Sequence, residues 1–175
     1  MRNYRRVQEI ARSAGIVPAR SRAATDYVPP GMPIPPPVTV RKGTHTEGEV
    51  LSALVSVGYN VLIPFGVARY DLVIEVADGF RRVQCKTARL VQPGMMRFNV
   101  CSGSPEGVRR TYVGEIDFFG VYLPDLGHVY LIPIEAVDGY RREVQFCLTD
   151  SGDVHGTRLA SPYRLVAQSE RALVS

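Results

Sequence analysis

A proline-rich stretch divides the chain into two parts. Residues 28–37 have the sequence VPPGMPIPPP, which cannot form a helix or a central strand because proline lacks the amide hydrogen that both require. We expect a polyproline-type spacer there. The sequence therefore predicts a basic N-terminal arm over residues 1–40, a folded core over 41–150, and a C-terminal tail over 151–175 that has no assigned role.

The basic charge is concentrated in the predicted arm. Residues 1–42 hold eight of the 21 basic residues and two of the 17 acidic residues, so the remainder of the chain is slightly acidic. Apolar residues with helical spacing over 4–14 predict a short helix that ends at Gly15. A basic arm on a near-neutral body is typical of proteins that bind a polyanion, and a solubilising tail would have the same composition.

Several classes of protein are excluded by composition. The three cysteines form no CxxC pair and fit a reducing compartment better than a disulfide framework. The chain shows no recognisable signal peptide and no apolar run long enough to cross a membrane. A single domain of this length can bury a core without disulfides or structural metals. We therefore expect a cytoplasmic protein with no membrane partner.

Hydrophobic periodicity predicts one helix followed by a series of strands. The helix covers roughly residues 44–57 and ends at Gly58. Strands are predicted over 59–64, 70–76, 80–87, 96–101, 118–123 and 128–133. Asp78-Gly79 predicts a hairpin turn between the second and third strands, and the similar Asp138-Gly139 predicts a second one. A short helix is predicted to begin at Ser104.

Polar residues converge at one end of the first predicted hairpin. Alternation along the strands puts Asp71, Gln84 and Lys86 on the same face. Counting outward from the turn sets Val76 opposite Arg81 or a neighbouring residue, so Asp71 and Lys86 lie at the same end. Each also has an ordinary structural explanation: Asp71 could pair with a nearby arginine, Arg69, and the other two could be solvated strand residues.

Glu47 is predicted to lie on the inward stripe of the helix. Apolar residues follow it at helical spacing, beginning at Val50, and a carboxylate in that position needs a partner or a metal. A capping box with Thr44 would account for Glu47 equally well. Thr46 and Glu49 could form a similar box on a face that points away from the stripe, so capping does not require Glu47.

Lys86 also stands out by composition. The chain has only two lysines, Lys42 and Lys86, among its 21 basic residues. A coding bias toward arginine would not explain why these two are retained, because a compact ammonium and a planar guanidinium are not interchangeable.

The ordered motifs resemble those of the PD-(D/E)XK nuclease superfamily. They are KGTHTE from Lys42, YDL from Tyr70, and QCKT from Gln84. More narrowly, PFG from Pro64, IDFF from Ile116 and YLIP from Tyr130 are similar to the branch of group I intron homing endonucleases, and archaeal Holliday-junction resolvases resemble the chain more distantly. The resemblance spans about residues 41–135. It implies an α/β fold with a restriction-endonuclease-like core, in which helices flank a mixed β-sheet in αβββαβ order.

The resemblance also implies a set of site residues. Glu47, Asp71, Gln84 and Lys86 would be catalytic. Mg²⁺, for which Mn²⁺ can substitute, would be bound by Glu47, Asp71, Gln84 and the backbone carbonyl of Cys85. Lys86 would position the attacking water or stabilise developing charge. Two residues depart from the family pattern. Gln84 stands where the family has Asp or Glu and therefore brings no charge to the metal site. Tyr70 stands where the family name has proline.

Double-stranded DNA is the implied substrate, and basic residues should neutralise its phosphates. The candidates are Arg41, Lys42, Arg82, Arg89, Arg109 and Arg110. Cutting both strands would favour a homodimer or homotetramer. The predicted function is a metal-dependent DNA endonuclease of bacterial or phage origin, with homing as one use. A junction resolvase and a non-catalytic DNA-binding module on the same fold remain the alternatives.

Overall fold

The structure is a computed structural model that describes residues 38–103, 108–149 and 158–166. The predicted arm helix, the proline-rich spacer and the predicted helix at Ser104 lie outside the described residues. The described elements, in chain order, are α1 (Val38–Ser56), β1 (Val61–Leu62), β2 (Leu72–Val76), β3 (Gly79–Thr87), β4 (Arg89–Gln92), β5 (Met95–Asn99), β6 (Cys101–Gly103), β7 (Arg109–Thr111), β8 (Phe118–Leu123), β9 (His128–Pro133), β10 (Glu143–Cys147) and β11 (Arg158–Leu159). Two short 3-10 turns cover Ile134–Val137 and Ser161–Tyr163.

A mixed five-stranded sheet forms the centre of the fold. Its order is β1-β2-β3-β8-β9. Strands β1 to β3 are antiparallel, β8 joins β3 in parallel, and β9 is antiparallel to β8. The central strand β8 is buried on both faces, as its run of apolar residues predicts.

Helix α1 covers one face of this sheet. Its residues Val50 and Leu54 are fully buried against β2, β3 and β8. The approach is closest at Gly120 of β8, where an added Cβ would lie 2.5 Å from a methyl group of Val50. Glycine is therefore required at that position by the packing of α1.

The end of α1 follows the sequence closely. Gly58 has a φ of +101°, and its amide donates to the carbonyl of Val55 at 3.0 Å while the amide of Tyr59 donates to that of Leu54 at 3.1 Å. This is the Schellman arrangement that a glycine after a helix predicts. The start of α1 differs from the prediction, because the helix begins at Val38, six residues before Thr44.

A second sheet covers the opposite face of the central sheet. Its order is β11-β10-β5-β4, and its rings Phe98 and Phe146 pack with Phe119 of β8 in the larger hydrophobic core. The described residues thus form three layers of helix, sheet and sheet. Between β3 and β8, where the αβββαβ order has a helix, the described residues form strands β4 to β7.

The second predicted hairpin is wrong. Asp138-Gly139 follows a 3-10 turn and not a strand, and β10 pairs with β5 and with β11 instead of a preceding neighbour. The Asp-Gly sequence is the same as at the first hairpin, but it does not decide which strand β10 pairs with. β10 pairs with β5 because Val144 and Phe146 share an apolar core with that strand. Part of the predicted C-terminal tail also packs on the body, since Ala160 beside β11 is fully buried.

Candidate functional site

The hairpin of β2 and β3 brings the predicted polar residues together. Val76 lies opposite Gly79 and not opposite Arg81, a difference of two residues from the predicted register. An even shift keeps each side chain on its predicted face. Continued by one residue beyond β2, the register sets Asp71 opposite Gln84.

The Asp71 carboxylate is tied to the adjoining strand. Its Oδ2 accepts a hydrogen bond of 2.7 Å from the backbone amide of Cys85 and a second one from Nε2 of Gln84. Within the described residues Oδ1 accepts no hydrogen bond, so one oxygen of a half-buried carboxylate is left open. Pairing of Asp71 with Arg69 is wrong, because the Arg69 guanidinium donates to Glu115 at 2.7 Å.

The charge of Asp71 affects the second acid of the site, Glu47. Burial raises the pKa of Asp71, although the amide of Cys85, the Lys86 ammonium and the Gln84 side chain each oppose that shift. The pKa of Glu47 is raised by burial and then by the negative charge of Asp71. The carboxylates are therefore close enough to repel, and a cation bound between them would remove the cost.

Glu47 reaches the site from the flank of α1. The most buried line along the helix runs through Thr46, Val50 and Leu54, and Glu47 lies beside that line with an exposed side chain. A capping box between Thr44 and Glu47 is wrong, because Thr44 lies inside the helix.

Thr46 fixes the position of α1 at this end of the sheet. The prediction that it points away from the apolar stripe is wrong, since Thr46 is only 3% exposed. Its hydroxyl shares a hydrogen bond of 2.6 Å with the hydroxyl of Thr87, the residue after Lys86. This bond holds Glu47, one residue away, near the end of β3.

Lys86 has a partner that sequence reasoning missed. Its Nζ donates to the hydroxyl of Tyr112 at 2.9 Å and lies 4.6 Å from the centre of that ring. Tyr112 is 4% exposed and packs edge-on against Phe119. No local spacing relates residues 112 and 86, and the only signal was an aromatic residue two positions after the basic pair Arg109-Arg110.

Arg69 holds the Tyr112 ring from another direction. Its guanidinium carbon lies 4.5 Å from the ring centre, in the geometry of a cation–π contact. Three further groups fix the guanidinium: the carboxylate of Glu115, the hydroxyl of Ser102 at 2.9 Å, and the carbonyl of Thr111 at 3.2 Å. The Lys86 ammonium is thus attached to a rigid cluster.

The available donors fit a hard cation. Among the described residues no three His, Cys, Asp or Glu side chains cluster, so thiolate and imidazole sites are not formed. Burial, and then the charges of Asp71 and Glu47, raise the pKa of Cys85, so the thiol stays protonated and only its carbonyl can bind a metal. Oxygen atoms of Asp71, Glu47, Gln84 and that carbonyl match the preference of Mg²⁺.

The predicted DNA contacts on β3, β4 and β7 are mostly held by carboxylates. The ion pairs are Arg82 with Asp117, Arg89 with Glu143, and Arg110 with Glu115. Arg109 is exposed, and its guanidinium lies 3.7 Å from the sulfur of Cys101. Lys42 is exposed on α1, next to Arg41, whose side chain lies outside the described part of the chain. Three of the six predicted DNA contacts thus have their charge paired within the protein.

Comparison with known proteins agrees with this arrangement. Residues 38–166 match the family model described as PD-(D/E)XK endonuclease. The solved structure of a bacterial homing endonuclease, I-Ssp6803I, superposes with a TM-score of 0.54 and 22% identity, covering 78% of this chain and 90% of that one. No curated protein matches the sequence. These matches confirm the restriction-endonuclease-like fold. Within the described residues no helix is long and apolar enough to cross a membrane.

Proposed function

The chain belongs to the PD-(D/E)XK endonuclease family, and we propose that it is a metal-dependent endonuclease that hydrolyses phosphodiester bonds of double-stranded DNA in the cytoplasm. The main support is the convergence of Asp71, Gln84 and Lys86 at one end of the β2–β3 hairpin, with Glu47 close enough to repel Asp71. These residues occupy the positions of the family motif, with Gln84 in place of the usual Asp or Glu.

The metal would be held by oxygen atoms. Asp71 is the principal ligand because it offers an open carboxylate oxygen, and Glu47, the Gln84 side chain and the Cys85 carbonyl complete the set. Bound Mg²⁺ supplies positive charge that offsets the negative charge growing on the phosphate during hydrolysis. Mn²⁺ accepts the same donors and should substitute.

The other residues of the site bind and orient. The Lys86 ammonium donates hydrogen bonds to the attacking water or to a phosphate oxygen, and the Tyr112 hydroxyl holds it in place. Lys42, exposed on α1 five residues before Glu47, is available to neutralise a neighbouring phosphate.

Cleavage of both strands calls for more than one copy of the site, as in a homodimer or homotetramer. An exposed apolar loop supports self-association. Phe65 and Val67 are fully exposed, and Ile63 is 70% exposed, and large apolar side chains exposed close together in the chain suit an interface. We assign a second copy of the chain as the partner of this loop.

The decisive experiment incubates supercoiled plasmid with the full chain, with and without Mg²⁺. The wild type should nick or linearise the plasmid only with the metal, and Asp71→Ala should abolish cleavage. Asp78→Ala, at the turn end of the same hairpin, is the control and should cut normally. Cleavage that is independent of metal, or that survives Asp71→Ala, would contradict the proposal.

A rare recognition site could hide the activity on one plasmid, so metal binding is measured as well. Calorimetric titration should show Mg²⁺ binding that is lost in Asp71→Ala. A four-way junction tested beside a linear duplex separates resolvase use from homing use. Binding of metal and of DNA without cleavage of any substrate would favour the non-catalytic alternative. The uncharged side chain of Gln84, where the family has a carboxylate, is the observation that supports this alternative.

A further inference from the structure

The second sheet has an outward face made of polar residues. Along β5 and β10 every second side chain is buried, as shown by Met96, Phe98, Val144 and Phe146. The intervening side chains therefore point away from the core. The polar ones are Arg97 and Asn99 of β5 and Glu143 and Gln145 of β10, Arg89 of β4 joins them, and Met95 and Cys147 lie at one end of the same face.

Strand register arranges these side chains in rows. Arg97 lies opposite Arg89 on one side and opposite Gln145 on the other, and Asn99 lies opposite Glu143. Arginine is the side chain that pairs with guanine edges, and asparagine and glutamine pair with adenine, in the major groove of DNA. One face of a short sheet thus presents several base-reading groups side by side.

The same face borders a basic groove. Arg97, Asn99, Gln145 and Glu143 line it together with Arg109 and Arg142. Within the described residues neither Arg109 nor Arg142 forms an ion pair, and both are exposed. Arginines at the rim of a polar surface suit phosphates on either side of a groove.

The dimensions of the face suit a duplex. A major groove of about 12 Å admits a two-stranded β-ribbon, and β5 and β10, which carry Arg97 and Gln145, are neighbouring antiparallel strands. Because Arg89 follows Lys86 by three residues, their Cα atoms are at most about 11 Å apart. A duplex cut at Lys86 is therefore within reach of Arg89, at the β4 side of this face.

Ion pairs within the face do not prevent such binding. Glu143 lies 2.8 Å from Arg89 and 3.6 Å from Arg97. Arg97 and Glu143 are each about one-third exposed and Arg89 more so, and ion pairs that water still reaches contribute about 0 to 1 kcal/mol, so exchanging them for contacts with bases costs little. In the free protein these ion pairs hold the Arg89 and Arg97 side chains on the outward face.

We propose that the outward face of β4, β5 and β10 reads DNA sequence in the major groove beside the cleavage site, with Arg97 and Gln145 as the principal base contacts. This inference rests on the proposed function for its substrate and extends it to specificity. Arg109 and Arg142 bind the flanking phosphates.

The test selects bound sequences from a library of duplexes with a randomised central segment, using the full chain in EDTA. The wild type should enrich a motif. Arg97→Lys keeps the charge but loses the planar fork, so it should lose about tenfold or more of the preference at one G·C position without a change in the salt dependence of binding. Gln145→Ala should relax a different position.

Arg81→Ala, which removes an arginine at the turn end of β3, is the matched control and should enrich the wild-type motif. Three results would overturn the inference. The wild type could enrich no motif, or Arg97→Lys and Gln145→Ala could both enrich the wild-type motif. The third is a sedimentation coefficient that differs between these variants and the wild type, which would show the face to be a protein interface. Plasmid cleavage is scored separately. A protein that selects a motif but never cuts DNA supports the reading face and contradicts the proposed nuclease activity, and one that cuts without any sequence preference does the reverse.

Discussion

The Lys86 ammonium donates a hydrogen bond to the buried hydroxyl of Tyr112, 26 residues further along the chain, at 2.9 Å. Tyr112 is in turn fixed by the stacked guanidinium of Arg69. A flexible lysine side chain is thereby held in one geometry before substrate arrives, which is the condition for efficient transition-state stabilisation.

Removal of this hydroxyl should slow cleavage without weakening DNA binding. We expect Tyr112→Phe to lower kcat about tenfold, because about 1 to 1.5 kcal/mol of positioning is lost, and to leave KM unchanged. Single-turnover and steady-state cleavage assays measure both. Tyr163→Phe, in the core beside Phe146, is the control, and an equal loss of kcat in that variant would make the effect one of general stability.

The charge at position 84 should control the metal affinity of the site. Gln84→Glu adds a third carboxylate beside Asp71 and Glu47 and removes an amide donor to Asp71. We expect a lower Tm in EDTA, because the like charges repel, and a larger rise of Tm with Mg²⁺ than in the wild type. Thermal melts across a Mg²⁺ titration measure this. A Tm that responds to Mg²⁺ no more than that of the wild type would remove position 84 from the ligand set.

Sequence reasoning located the hairpin side of the site because its information is local. Asp71, Gln84 and Lys86 share a face by alternation, and even a register error of two residues preserved that face. Tyr112 and the second sheet could not be found in this way. The second sheet depends on pairing between β5 and β10, which are more than 40 residues apart in the chain, and the contact of Tyr112 with Lys86 spans 26 residues with no local spacing that predicts it.

The helix shows the same limit. The end of α1 was predictable, because Gly58 specifies a local cap. Its start was not, because the first six residues, 38–43, contain two β-branched valines and Gly43 and give no strong helical signal. Thr46 lies at helical spacing from Val50, but it was placed on the outer face because a polar residue was expected to face water. It is buried because its hydroxyl forms a hydrogen bond with that of Thr87.

Close packing of α1 on the sheet should make Gly120 intolerant of a side chain. Gly120→Ala puts a Cβ within 2.5 Å of Val50, and overpacking of this kind typically costs about 1 to 3 kcal/mol. Gly48→Ala is the control, because an added Cβ there meets nothing within 4 Å and alanine favours a helix by up to about 1 kcal/mol. Chemical denaturation should show opposite signs for the two variants.

Acid should destabilise the fold partly through His128. Burial, with help from the charge of Arg164, lowers the pKa of His128 to about 4. The unfolded chain takes up a proton at that residue near its usual pKa of about 6.5, so stability is fully present above this value and falls as pH decreases toward about 4. Glu49 and Arg164 line the same cleft, and a hydrogen bond of 3.4 Å joins the ring to Tyr130.

His128→Gln removes that titration and should flatten the curve. After allowance for its partial exposure, we expect the loss of unfolding free energy between about pH 7 and pH 5 to be smaller by about 1 kcal/mol in the variant. Urea denaturation at each pH gives the difference. Parallel curves for the two proteins would exclude His128 as a source of the acid sensitivity.

Self-association should depend on the apolar loop before Asp71. Phe65→Asp places a charge on a fully exposed ring position, so it costs the monomer little and should disfavour a contact between two copies of the loop. Analytical ultracentrifugation should show an oligomer for the wild type and a shift toward monomer for the variant. Leu159→Asp replaces another exposed apolar residue, in β11, and should leave the oligomer intact. If the wild type sediments as a monomer, or if both variants dissociate equally, the loop is not the interface. If Phe65→Asp is monomeric and still nicks one strand while losing double-strand cleavage, the two cuts come from two copies of the same site.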